Sequence, residues 1–131
     1  MSLQETFTTV ATHLLTQRRR SIARLAGQAI PSCAYRGEEG LRCAVGCLIP
    51  DEEYRPEFEG CKLFSIPLDP VMDAPMHSSR CLQQILLREG HDLGLLVELQ
   101  AVHDRVRPDN WAMGLSDVAS RFGLQMPTVP Q

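Results

Sequence analysis

No apolar run in this 131-residue chain approaches the roughly 20 residues that a membrane-spanning helix requires. The first ten residues, MSLQETFTTV, lack the basic start and apolar centre of an export signal. The five cysteines are an odd number, and nothing marks the chain for an oxidising compartment. A disulfide framework is therefore not expected, and the thiols are read as reduced or metal-bound. Together these features predict a soluble cytoplasmic protein with no membrane partner. Positive charge is also in short supply: 13 Lys and Arg stand against 16 Asp and Glu, a net charge of −3. Direct nucleic-acid binding, which needs a concentrated basic surface, is not expected. One basic cluster exists, Gln17-Arg18-Arg19-Arg20. It has neither a second cluster nor interleaved aromatics, so it reads as solvated cations at a helix carboxyl end. Internal repeats and low-complexity segments are absent.

The length fits one domain, and a 44% hydrophobic content is enough for a core. Helical periodicity supplies most of it. Phe7, Val10, Ala11, Leu14 and Leu15 fall on one face of a helix over residues 3–17. Ser21–Ile30 fits either a continued helix or a loop, and Pro31 ends it. Pro67, Pro70 and Pro75 make the middle of the chain irregular. Ser78 or Ser79 then suits an N-cap for a helix with Cys81, Leu82, Ile85 and Leu86 on its apolar face, closed by Gly90. A third helix starts near Asp92 and carries Leu95, Leu96, Leu99, Val102 and Val106 before Pro108. Asp109 is read as the cap of a fourth, with Trp111, Leu115, Val118, Ala119 and Phe122 on one face and Gly123 as its stop. Residues 126–131 read as a flexible tail of the single domain 1–131.

The remaining stretch, Cys33–Gly60, is the one around which the helices are expected to pack. Cys33–Arg36 and Leu41–Cys43 read as strands of a small antiparallel hairpin, with Gly37-Glu38-Glu39-Gly40 as its loop. A short apolar helix from Ala44 stops at Ile49, before Pro50. Asp51, Glu52 and Glu53 follow in a turn that Pro56 ends, and Gly60 closes the unit. Cys61–Ile66 fits a short third strand. The fold class is thus α+β, about four main helices with a small antiparallel hairpin.

The chemistry-bearing side chains form no complete catalytic set. Cys33, Cys43 and Cys47, joined by Cys61, His77 or His103, would suit zinc by ligand type. Only one pair is closely spaced, and cysteine is commonly just buried, so no metal or other cofactor is assigned. A hydrolase would need Cys43 as nucleophile and His103 as base. Adjacent helical side chains point about 100° apart, so Asp104 is not expected to orient the His103 ring. His103 reads instead as a partly buried, hydrogen-bonded structural residue, and no catalytic residue is assigned. From Glu38 to Glu59 seven acids stand against Arg42 and Arg55, a local net charge of −5. Such a stretch is either a solvated surface or an acidic face that attracts a basic partner. In the second reading Glu52, Glu53 and Glu57 supply charge, and Tyr54 and Phe58 supply apolar anchors.

The stretch CAYRGEEGLRCAVGCLIPDEEYRPEFEG, with the later LQAVHDRVRPDNW and a closing helix, resembles small uncharacterised accessory proteins of bacteriophages and prophages. The resemblance covers most of the chain apart from its proline-rich middle, and it brings no established catalytic residue. It implies a small cytoplasmic protein that binds and redirects a host protein. An inhibitor of a defence system such as a CRISPR effector is the concrete form. Two alternatives stand beside it, a zinc-stabilised binding module and a cysteine-dependent hydrolase using Cys43 and His103.

Overall fold

A computed structural model describes residues 1–24 and 29–129. Four helices carry the fold: α1 Leu3–Gln17, α2 His77–Arg88, α3 Leu93–Arg105 and α4 Trp111–Phe122. The first obeys its sequence pattern closely, with Phe7, Val10, Ala11 and Leu14 fully buried along one face. Ser2 caps it, its hydroxyl accepting from the Glu5 N–H at 3.1 Å. Helix α3 is capped by Asp92, which accepts from the Leu95 N–H at 2.9 Å. Gly90 and Gly123 take left-handed geometry beyond α2 and α4, as their positions suggest. Helices α1, α3 and α4 pack on one another, and α2 packs on α3 and on a 3-10 turn at Pro56–Phe58. Trp111, Leu99, Leu115, Phe7 and Phe58 meet in the shared core. No helix among the described residues is long and apolar enough to cross a membrane.

The sheet is small, antiparallel and displaced from its expected place. Strands β1 Ile22–Ala23 and β2 Ser32–Cys33 pair, with Ile22 opposite Cys33. The hairpin expected over 33–43 shrinks to one bridge between Arg36 and Arg42. The reason lies in the backbone partners. Ala34 N–H donates to the Ser21 carbonyl, and the N–H groups of Tyr35 and Arg36 go to the Glu59 carboxylate. Those donors are therefore lost to a ladder. The loop itself holds: Gly37 N–H donates to the Leu41 carbonyl at 2.8 Å around a 3-10 turn at Glu38–Gly40.

Other expectations need correction. Cys61–Ile66 forms no strand. Helix α2 starts at His77 with no side-chain cap, and Ser79 is buried instead. Asp109 sits inside a 3-10 turn, Pro108–Asn110, that runs into α4, so it does not cap that helix. The apolar run after Ala44 becomes a turn and a 3-10 segment, Gly46–Leu48, ending before Pro50 as expected. In the expected tail, Met126, Pro127 and Val129 lie beside Leu14, Leu15 and Trp111, without regular structure. Residues 130–131 of that tail, and 25–28 of the segment left open between helix and loop, lie outside the described residues.

Candidate functional site

The segment between α1 and α2 is poor in regular structure, so side chains must satisfy its backbone. Gln17 accepts the Arg42 N–H and donates to the Arg42 and Arg19 carbonyls. His13 donates from Nε2 to the same Arg42 carbonyl at 2.9 Å. Arg20 donates to the His103 and Val106 carbonyls, closing the carboxyl end of α3. Gln100 on α3 accepts the Val45 N–H at 3.0 Å and donates to Asp104 at 2.9 Å.

These contacts leave a cleft of about 610 Å³ between residues 33–35, residues 59–63 and the outer face of α3. Cys33, Cys61, Glu59 and Asp104 line it. Cys33 and Asp104 of this lining, with the buried His103 behind them, present ligand-type atoms within 4.8 Å of one another. This is the one place among the described residues where three such groups converge.

The hydrogen bonds of His103 decide what this cluster can do. Its ring is fully buried and stacked on Trp111, with centroids 5.5 Å apart. Nε2 accepts the backbone N–H of Ser21 at 2.9 Å, so Nε2 carries no proton. Nδ1 then holds the proton and donates to Asp104 Oδ1 at 2.7 Å. Asp104 does orient its sequence neighbour, contrary to expectation. Its carboxylate is half-exposed at the helix surface and swings back across the roughly 100° between adjacent side chains.

A base needs a free lone pair, and both ring nitrogens are engaged. A metal on Nδ1 would force the proton to Nε2, where it would face the Ser21 N–H, donor against donor. The three ligand-type groups therefore do not fit a zinc ion in this arrangement. Burial and the Asp104 carboxylate, which also accepts a hydrogen bond from Cys33, raise the Cys33 thiol to about 11. A neutral thiol is a poor nucleophile.

The other thiols are scattered. Cys43 is fully buried, accepts the Gly46 N–H, and is pushed up strongly by burial. Burial also raises Cys47 to about 12, and its thiol donates to the Ala44 carbonyl. Cys61 donates to the Glu57 carbonyl. His77 lies 3.5 Å from Cys81 on the surface of α2, and no third ligand type joins them among the described residues. Cys33, Cys43 and Cys47 do not converge, because Tyr35 rather than Cys33 sits across from Cys43.

The acidic stretch changes character in space. Glu39 pairs with Arg19, Asp51 with Arg36 and Arg42, and Glu53 with Arg88. Glu59 accepts from Tyr35 N–H, Arg36 N–H and the Tyr54 hydroxyl, the last at 2.6 Å. Glu38, Glu52 and Glu57 are exposed and make no ion pair among the described residues. Of the two expected anchors, Phe58 is 1% exposed and belongs to the core. Tyr54 is half-buried, meeting Phe58 edge to face, with the Arg36 guanidinium 4.6 Å above its ring. Phe58 is thus a core residue, and Tyr54 is partly exposed with its hydroxyl and one face already engaged.

Sequence reasoning missed Glu59 as an organising carboxylate. Its three partners come from residues 5, 23 and 24 positions away, which no local pattern reveals. It also missed the loop after Cys61 as a feature of the surface. Val71 and Met72 there are each 81% exposed. The apolar pair between Asp69-Pro70 and Asp73 was the available signal. Compared with protein-family models, curated proteins and solved structures, the chain matches none.

Proposed function

We propose that this chain is a small phage-derived accessory protein that acts in the cytoplasm by stoichiometric binding to a host protein. An inhibitor of a defence system such as a CRISPR effector is the concrete form of that reading. The observation that carries it is His103, whose two ring nitrogens are both committed to the scaffold. With it goes the imidazole as a base for the Cys33 thiol, and the Asp104 carboxylate beside that thiol raises its pKa rather than activating it. What remains for function is surface, and in the 38–59 stretch the exposed carboxylates without an ion pair among the described residues, Glu38, Glu52 and Glu57, outnumber the one such cation, Arg55. The partner this fits is a protein with a basic face, such as one that handles nucleic acid; the chain itself does not contact the nucleic acid. Complementary charge chiefly raises the association rate.

The test is association with the partner at increasing salt. Screening shortens from about 10 Å at 0.1 M to about 3 Å at 1 M, so the on-rate should fall across that range. Glu52→Lys with Glu57→Lys should slow association further while leaving the fold intact. Glu53 is left alone because its reversal would also break the pair with Arg88. A one-to-one complex by light scattering is expected. Turnover of any substrate by the purified chain, abolished by Cys33→Ser, would overturn the reading.

A further inference from the structure

The loop between Phe64 and Met76 carries an unusual load of exposed apolar side chains. Ile66, Val71, Met72 and Met76 are all exposed, Val71 and Met72 the most. Exposed apolar side chains at a mobile tip would mean little. This tip is held. Gln83 of α2 is 1% exposed and spends its whole amide on the loop. Its Nε2 donates to the Phe64 and Ile66 carbonyls, and its Oε1 accepts the Leu68 N–H, all at 2.9 Å. Asp69 Oδ1 accepts the N–H groups of Val71 and Met72 at 2.8 Å each. Asp73 accepts the Asp69 N–H at 2.7 Å, and its own N–H returns to the Asp69 carbonyl. Pro67, Pro70 and Pro75 restrict the backbone further. The ordering cost of binding is thus largely met before any partner arrives.

We propose that residues 66–72 are the docking loop, with Val71 and Met72 as the anchors that enter a partner protein's apolar pocket. The proposal rests on the binding function argued above and replaces Tyr54 and Phe58 as its apolar anchors. The chemistry of the pocket follows from the charges. Asp69 and Asp73 flank the apolar pair, the loop itself has no Lys or Arg between Ser65 and Ser79, and Arg80 on α2 is the one cation that acts on Asp69 among the described residues. The backbone bonds of Asp69 hold its carboxyl below the usual carboxylate range, so it stays charged. The pocket is therefore apolar and rimmed by Lys or Arg. A symmetric second copy fits poorly, because it would bring Asp69 and Asp73 against their own equivalents. An anionic lipid surface would meet the same two carboxylates.

The experiment places a photo-crosslinking amino acid at Met72, and separately at Met113, which is exposed on α4. Both proteins are irradiated in extract of the host cell. The protein captured from position 72 is then purified, and its affinity measured for the wild-type chain and for Val71→Ser with Met72→Ser. Capture from position 72 but not 113, a one-to-one complex, and affinity about tenfold or more weaker in the double variant are expected. Because both side chains are exposed, the variant should melt with the wild type, so a weaker complex cannot be blamed on unfolding. Capture only from position 113, or a complex that survives the double substitution, overturns the loop assignment and leaves stoichiometric binding standing. Crosslinking at 72 to a second copy of the chain overturns the partner assignment. No binding, or equal binding, of wild type and variant to vesicles of phosphatidylcholine and phosphatidylglycerol is expected for a loop that docks on protein. Loss of binding to those vesicles in the variant assigns the loop to lipid instead.

Discussion

His91 shows how single residues are spent on structure in this chain. It is buried behind Gly90, with Nδ1 2.7 Å from the Thr6 hydroxyl, and burial holds its pKa below the ordinary value. The neutral ring is thus the folded form. Unfolding returns it to about 6.5, so the unfolded chain binds the extra proton in acid. Stability from this residue is complete above about pH 6.5 and is lost as pH falls through the lower, folded value. Denaturant midpoints should therefore drop between pH 7 and pH 5, and His91→Gln should drop less. The thiols behave in the opposite sense. Folded Cys33 and Cys47 titrate near 11 and 12, above the roughly 8.5 of an unfolded thiol. Their contribution is intact below about pH 8.5 and is lost as pH rises toward those values. At pH 8, Cys43 and Cys47 should resist Ellman's reagent until denaturant is added. Fast reaction of either in the native state would show that the 43–47 turn opens.

At the scale of elements, close backbone approach sets the 33–60 unit more than strand pairing does. Gly46 is the tightest point, because an added Cβ would lie 1.8 Å from the Tyr35 carbonyl oxygen. Gly40 differs: its φ is +74° and the space around it is open. Gly46→Ala should therefore cost several kcal/mol, about 3 or more, whereas Gly40→Ala should cost about 1. Urea unfolding of the two variants separates them, and equal small losses would contradict this packing. The helices were legible in the sequence because their apolar residues repeat at 3.6-residue spacing, as Phe7–Leu14 and Leu95–Val102 do. The sheet was not, because its two-residue strands are too short for any alternation to register. The 33–43 hairpin misled because its hydrogen-bonding groups are claimed by Ser21 and Glu59, both distant in sequence.

Over the whole molecule, three helices form a platform and a chain segment of little regular structure is fastened to it by side chains. Trp111 marks the platform: it is 1% exposed, stacks on His103 and donates its indole N–H to the Val106 carbonyl at 3.0 Å. Trp111→Ala should cost roughly 3–5 kcal/mol, read as a lower melting midpoint. An unchanged midpoint would contradict the packing of α3 on α4. The site was legible only in part. The cysteines, His103 and the acids were visible as types. Their convergence or dispersal was not, since the arginines that neutralise Asp51 and Glu53 include Arg36 and Arg88, 15 and 35 positions away. That the ring of His103 serves as a strut rather than as a base or a metal ligand is tested most directly at its two nitrogens. Nitrogen-15 NMR at pH 7.5 should find Nδ1 protonated and Nε2 bare, accepting from Ser21, with both signals unmoved by one equivalent of zinc. A protonated Nε2, or an Nδ1 signal that shifts when zinc is added, would contradict it.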